Sequence, residues 1–366
     1  MILILYEMKA YLDLQKRILV EGDVEFEPRT KTYTIGISGH QCEYNLSDGF
    51  PMITTKNVPP RLPFEELFWK LRGERNVKGL VDRNVHIWTA NAFDKYLTDT
   101  GQSETIPKHT PEWNEQFKIY SKKLKEDPDF AKASGDLGPV YGNQWRHWPR
   151  IGGGEVDQLE NLIKGIKKNP GSRYHVLSAW NVGDLKEMAL GPCPFWHQFT
   201  VYGDQLDLHM VLRSCDTYLG IPFNIAQDSL LAHMVAKETD LIPRKFIHTT
   251  INTHIYLGVE PRAIFWSDED NVIEFKRRIG AIKGKEEYLG LKEWYINNAP
   301  EESEGNEGKD HVPFVLEQLS KEPRCLPDIT IRDIPLLEAI KLPVKEVVSW
   351  EGYDPHKWDS KAEMAA

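Results

Sequence analysis

A chain of 366 residues with 40% hydrophobic, 27% charged and 11% aromatic residues has a folded protein's composition, with enough length for one large core or two ordinary domains. The formal net charge of -10 and pI near 5.7 exclude a nonspecific nucleic-acid coat, whose affinity scales with the phosphates it neutralises, and predict no direct nucleic-acid partner. A small anionic substrate stays open, because a few convergent arginines can make a local positive pocket.

The first apolar run, Ile2 to Tyr6, is too short for a membrane span or a signal core, so a soluble cytoplasmic protein is expected. Met8 to Gly22 places Tyr11, Leu12, Ile18 and Leu19 near one helical face and ends on a C-cap glycine, which predicts an amphipathic first helix. Lys31 to Leu46, rich in Thr, Ile and Tyr, runs into the turn Ser47-Asp48-Gly49, and a strand pair is predicted after that helix. Phe64 to Leu71, closed by Gly73, spaces Phe64, Leu67, Phe68 and Leu71 as a helix core face that also contains Glu66.

From Asp94 to Ser134 the chain turns polar, predicting a surface insertion with a lysine-rich helix near Trp113 to Glu126. Tyr174 to Ala179, Trp196 to Tyr202 and Gln205 to Leu212 read as strands, the last two joined by the hairpin signal Gly203-Asp204. Asn224 to Glu238 is a long apolar-periodic helix, and residues 260–311 read as a second polar insertion. No repeat, regular βαβ alternation or G-x-G-x-x-G fingerprint is present, so the fold class is α+β.

The cysteines Cys42, Cys193, Cys215 and Cys325 have no paired spacing, which argues against a zinc knuckle or a disulfide framework and predicts no metal. Cys193 lies in Ala189-Leu-Gly-Pro-Cys-Pro194. On local evidence an isolated cysteine is more often a small buried residue, although a rigid loop beside a strand also presents nucleophiles. Arg213 and Ser214 suit phosphate oxygens through a guanidinium fork and a hydroxyl, or else form a surface ion pair. Asn224 is either a helix N-cap or a base-reading amide, since one carboxamide carries both a donor and an acceptor.

Several spaced segments together resemble the thymidylate synthase family. They include Arg29-Thr30, Asp48-Gly-Phe-Pro51, Thr54-Thr-Lys56, Glu66-Leu-Phe-Trp69, Asn84-Val-His-Ile-Trp88, Gly135 to Arg146, Ser178 to Gly183, Met188 to Cys193, Arg213 to Ala226, His254-Ile-Tyr256 and Glu351 to His356. The resemblance spans nearly the whole chain outside the two polar stretches, and implies one thymidylate synthase-like catalytic domain over residues 1–366. It implies a large mixed sheet packed by helices, and a reaction in which a cysteine adds to C6 of dUMP so that C5 attacks the one-carbon unit of 5,10-methylenetetrahydrofolate.

Carried over residue by residue, the resemblance makes Cys193 the nucleophile, with Arg213 favouring its thiolate. It assigns the phosphate to Arg29, Arg213 and Ser214, with Arg173 contributed across a homodimer interface. Asn224 would read the pyrimidine and take part in catalysis, and His254 and Tyr256 would hold the ribose hydroxyl. Glu66 and Tyr141 would move protons, Glu66 being suited because burial raises a carboxyl's pKa toward neutrality. Trp88 and Asp216 would contact folate.

The departures from the family's pattern are Pro194 for the usual His, Tyr174 for a second phosphate arginine, Asn91 for a second folate-contacting Trp, Gln227 for Ser, Thr250-Ile-Asn-Thr-His254 for Gly-Gly-Asp-Thr-His, and a polar tail from Lys357. They cluster around folate and the new methylene group, where trapping by water would give 5-hydroxymethyl-dUMP and hydride transfer would give dTMP. With Asn224 pointing to uracil, the sequence reads as a phage-type dUMP hydroxymethylase working in a host cytoplasm. The alternatives are a thymidylate synthase and, from another class, an inactive nucleotide- or RNA-binding homologue.

Overall fold

The computed structural model describes residues 5–28, 32–108, 110–357 and 362–363. Among them the strands are β1 (Asp23–Glu27), β2 (Thr32–Asn45), β3 (Trp148–Pro149), β4 (Glu155–Val156), β5 (Val176–Ser178), β6 (Pro194–Tyr202), β7 (Gln205–Asp216), β8 (Ile242–Tyr256), β9 (Asp328–Ile331) and β10 (Val348–Glu351). The helices that matter for the site are α1 (Leu5–Glu21), α2 (Arg61–Leu71), α3 (Lys78–Val81), α4 (Thr89–Asp99), α5 (Pro111–Glu126), α6 (Pro128–Ser134), α7 (Tyr141–Arg146), α8 (Gln158–Lys168) and α9 (Gly220–Glu238).

The main sheet has six strands in the order β1-β2-β8-β7-β6-β5. Every neighbouring pair is antiparallel except β7 and β8, which run parallel and are joined by α9 as the crossover. The mixed sheet packed by helices is the architecture expected from the sequence.

The core lies where α9 packs on β7, β8 and α2, while α1 covers β2. α9 is apolar almost all round because it is enclosed on nearly every side: Ile225, Leu230, Leu231, Val235 and Ala236 are fully buried. Each such Leu or Ile contributes about 1.5–3 kcal/mol by leaving water. The buried polar residue Gln227 interrupts this helix on the side of the site, and Asp228 beside it turns to His197.

Three differences from the sequence reading bear on the site. The strand pair after α1 is β1 with β2; Lys31 to Leu46 holds a single long strand, whose partner precedes it. β7 runs on through Arg213, Ser214 and Cys215 to Asp216, because β8 continues to pair with it as far as Asp216 opposite His254. The apolar helix begins at Gly220, four residues before Asn224. The cap position falls on Leu219, and Pro222 is tolerated in the first turn, where its missing N–H has no helical partner.

Both polar stretches carry helices around aromatic clusters. Residues 94–134 complete α4 and form α5 and α6 around Phe93, Tyr96, Trp113, Phe117, Tyr120 and Phe130, with ring centroids 5.0 to 6.4 Å apart. Residues 260–311 include α10 (Glu269–Ala281) and α11 (Glu287–Asn298), packed around Phe265, Trp266, Phe275 and Tyr295. They also hold a buried Arg262–Asp310 ion pair of 2.7 Å.

Candidate active site

Cys193 stands immediately before β6, where Pro194 pairs with Leu212. Its carbonyl accepts the Arg213 backbone N–H at 3.0 Å, so β7 fixes the loop. The Arg213 side chain folds back along that loop, donating from Nε to the Pro192 carbonyl at 3.0 Å and from Nη2 to the Gly191 carbonyl at 2.5 Å. Nη2 then lies 3.7 Å from Cys193 Sγ. Two carbonyls thus aim a permanent cation at the sulfur, an arrangement by which proteins stabilise a thiolate.

Tyr141 opens α7 with φ 28°, a left-handed backbone unusual for a bulky residue. Close approach follows at the next residue, where a Cβ on Gly142 would sit 2.0 Å from the Lys70 carbonyl oxygen. Glycine there lets α7 press against α2. The phenol oxygen of Tyr141 accepts the Cys193 backbone N–H at 3.0 Å. Burial, followed by the charges of Cys193 and Glu66, pushes the phenol well above its ordinary range, so it keeps its proton at neutral pH.

Glu66 is buried on α2, but not in the purely apolar surroundings expected from the sequence. Its Oε1 accepts Trp88 Nε1–H at 2.9 Å and pairs with Lys70 Nζ at 3.0 Å. Gln227 Nε2 donates to Oε2, and Gln227 Oε1 accepts from Lys70 Nζ at 2.9 Å. Lys70 Nζ also lies 4.7 Å from the centre of the Tyr141 ring. Trp88 stands edge-on to Tyr141 at 5.4 Å, so its indole touches both Glu66 and Tyr141 as well as offering an aromatic face.

The parallel register of β7 and β8 sets Ser214 opposite Asn252 and Asp216 opposite His254. His254 bonds Asn252 Oδ1 through Nδ1 at 2.8 Å and stands edge-on to Tyr256 at 5.1 Å. Asp216 Oδ1 accepts the backbone N–H groups of Tyr218 at 2.8 Å and Leu219 at 3.2 Å, with His311 Nδ1 at 3.6 Å. Burial pushes the Asp216 carboxyl up, but the charges of His311 and His254 outweigh it and hold the group below its ordinary range. Burial pushes His311 down, yet Asp216 outweighs that and leaves the imidazole raised. The acceptor at Asp216 and the aromatic face at Trp88 fit a flat heterocycle bearing N–H donors.

Asn224 lies inside the first turns of α9 with a partly buried carboxamide, which removes the N-cap alternative. Arg173 is exposed on the segment before β5 and makes no hydrogen bond or ion pair to the other site residues among those described. Arg29 lies outside the described residues. Of the departures, Tyr174 is 92% exposed, Asn91 is partly buried on α4 and Pro194 is buried at the start of β6.

Sequence reasoning gave no role to Lys70, Lys56 or His311. Lys56 is buried, donates to the Tyr218 carbonyl and lies 3.6 Å over the Tyr218 ring; burial lowers it to about 7. His311 Nε2 donates to the Glu363 carbonyl at 2.9 Å, tying the chain's last described residues to the Asp216 corner. The signal that could have found Lys70 is its i,i+4 spacing from Glu66 on one helix, taken together with a glutamine in an otherwise apolar α9. Among the described residues no cluster of His, Cys, Asp or Glu could hold a metal, and no helix is long and apolar enough to cross a membrane.

The parallel strand pair carries Arg213, Ser214, Asp216 and His254, and Arg213 backs the cysteine with a cation. The family model for thymidylate synthase matches residues 9–366. The thymidylate synthase of Listeria innocua serovar 6a is 40% identical over 260 residues, which cover 68% of this chain and 82% of that protein. The chain therefore belongs to the thymidylate synthase family, whose chemistry is folate-dependent one-carbon transfer to dUMP.

Proposed function

We propose that this chain is a dUMP hydroxymethylase. Cys193 Sγ bonds to C6 of the uracil and C5 bonds to the one-carbon unit; loss of the C5 proton and departure of tetrahydrofolate leave an exocyclic methylene on C5, water adds to that methylene, and the cysteine leaves C6 as 5-hydroxymethyl-dUMP forms. When bound, 5,10-methylenetetrahydrofolate supplies the one-carbon unit. Arg213 supports the thiolate and, with Ser214, Arg29 and Arg173 from a second subunit, holds the phosphate of a substrate shared across a homodimer. Asn224 pairs with O4 and N3–H, and His254 and Tyr256 hold the ribose hydroxyl. Glu66 and Tyr141 handle protons, while Trp88 and Asp216 position folate.

The observation that supports water as the final reactant is the polar wall beside Glu66. Gln227 and Lys70 bring an amide and an ammonium into it, and Asn91 replaces an aromatic on the folate side. Hydride transfer needs a wall that excludes water, and here an amide and an ammonium stand where apolar packing would seal it best. The second reading, a thymidylate synthase making dTMP and dihydrofolate, is favoured by the 40% identity to the Listeria enzyme. Incubation with dUMP and methylenetetrahydrofolate decides between them. Hydroxymethyl-dUMP without dihydrofolate is expected; dTMP with stoichiometric dihydrofolate would overturn the proposal.

A further inference from the structure

Lys70 has no step in the reaction as written, yet it is the cation that touches Glu66. We infer that Lys70 is a positioning residue of the one-carbon transfer, holding Glu66 as a proton acceptor at the nucleotide pocket, with Gln227 clamping the pair. This rests on the reading of Glu66 as a proton-transfer carboxylate.

The donor count carries the inference. Glu66 faces Trp88 Nε1–H, the Lys70 ammonium and the Gln227 amide N–H, three donors and no acceptor. A protonated Glu66 would set an O–H against an N–H. The Gln227 amide cannot simply turn over, because its oxygen already accepts from Lys70 at 2.9 Å. Nor can solvent replace these partners, since the Lys70 and Glu66 side chains are 5% and 8% exposed. Gly142 brings α7 against the Lys70 main chain, and the ammonium faces the Tyr141 ring. Lys70 is thereby fixed from three sides.

No other described cation contacts Glu66. From α7 the group facing the pair is Tyr141, with Cys193 and Arg213 beyond it. From α9 it is the neutral Gln227, while the adjacent Asp228 turns to His197 at 2.9 Å. On α2 itself, Glu65 turns to Arg83 at 3.4 Å. Each turnover takes one proton from C5 when carbon replaces hydrogen there, so the site needs an acceptor that later returns its proton to solvent. Glu66, surrounded by donors, is built for the receiving end.

The experiment is the pH dependence of tritium release from dUMP labelled at C5, in the presence of methylenetetrahydrofolate. In Lys70→Met the buried carboxylate loses its cation and takes a proton more readily. The acid limb of the rate profile should move up by about one pH unit or more. At neutral pH kcat should fall by about tenfold or more with KM for dUMP changed less than about twofold, and Lys70→Arg should recover most of the loss. An equal loss at every pH, with the acid limb unmoved, overturns the inference. If Lys70→Met does not fold, Gln227→Met keeps the ion pair but removes both amide contacts; its acid limb should move the same way by less, and an unmoved limb overturns the inference. Glu66→Gln separates the two levels. Wild-type release by that variant would sink the reading of Glu66 and the inference with it; an inactive Glu66→Gln beside an unshifted Lys70→Met would sink the inference alone.

Discussion

Two ion pairs are buried to nearly the same depth in this chain, Lys70–Glu66 at 3.0 Å and Arg262–Asp310 at 2.7 Å, and they differ in where their partners come from. Arg262 and Asp310 are served from within their own segment: Tyr295 donates to Asp310 at 2.8 Å, Trp266 donates to Tyr295 at 2.8 Å, and the Pro300 carbonyl accepts from Arg262 at 3.0 Å. That pair closes residues 260–311 on themselves. Lys70 and Glu66 draw partners from α2, α9 and the turn at Trp88, and border Tyr141, which in turn meets Cys193. Burial of charge alone says little about purpose, because desolvation offsets much of the Coulomb gain in either case. Several elements converge on the Lys70–Glu66 pair, as the proposed reactive site requires, and none converge in that way on Arg262–Asp310.

Four measurements would break or sharpen that contrast. Cys193→Ala, on the reactive side, should lower tritium release from C5 by about a thousandfold or more, equivalent to about 4 kcal/mol in the barrier, while the urea midpoint stays put. Arg262→Met, on the structural side, strands Asp310 without its cation; unfolding free energy should fall by about 3–5 kcal/mol with turnover per folded molecule retained. Loss of turnover in the folded fraction would erase the distinction.

Asn224→Asp replaces an amide donor with an acceptor and should move the ratio of kcat/KM for dUMP over dCMP by about 10- to 100-fold toward dCMP. Unchanged discrimination removes Asn224 from base reading. The smallest effect concerns His248, a buried residue of β8 with no hydrogen-bond partner on either ring nitrogen among the described residues and lowered by burial to about 4. The unfolded chain takes up this proton first, near pH 6.5, so the stability present above that pH is lost as pH falls toward 4. His248→Gln should flatten the unfolding free energy from urea titrations against pH by about 1–2 kcal/mol between pH 6.5 and 5, relative to wild type.

Much of this could be read from the chain. Periodicity and Gly22 predict α1; the Gly203-Asp204 turn predicts the β6–β7 hairpin; and spaced motifs single out Cys193, Tyr141 and Arg213, which the fold brings into contact. β8 was not legible, since Ile242-Pro-Arg-Lys245 opens it with turn-like and charged residues, and only pairing on both sides by β2 and β7 makes it a strand. Lys70 reads as a helix-surface lysine until α9 brings Gln227 to it. The aromatic clusters of the polar stretches are formed between helices, so no single-helix pattern betrays them.

The parallel register that sets Asp216 opposite His254 has a consequence for how such a protein can change over evolutionary time. One residue gained or lost inside β7 or β8 would turn the side chains beyond it to the wrong face of the sheet. Both long polar stretches, 94–134 and 260–311, enter outside those strands. The spacing that aligns Asp216 with His254 is therefore independent of the length of those two stretches, each of which is organised around an aromatic cluster of its own.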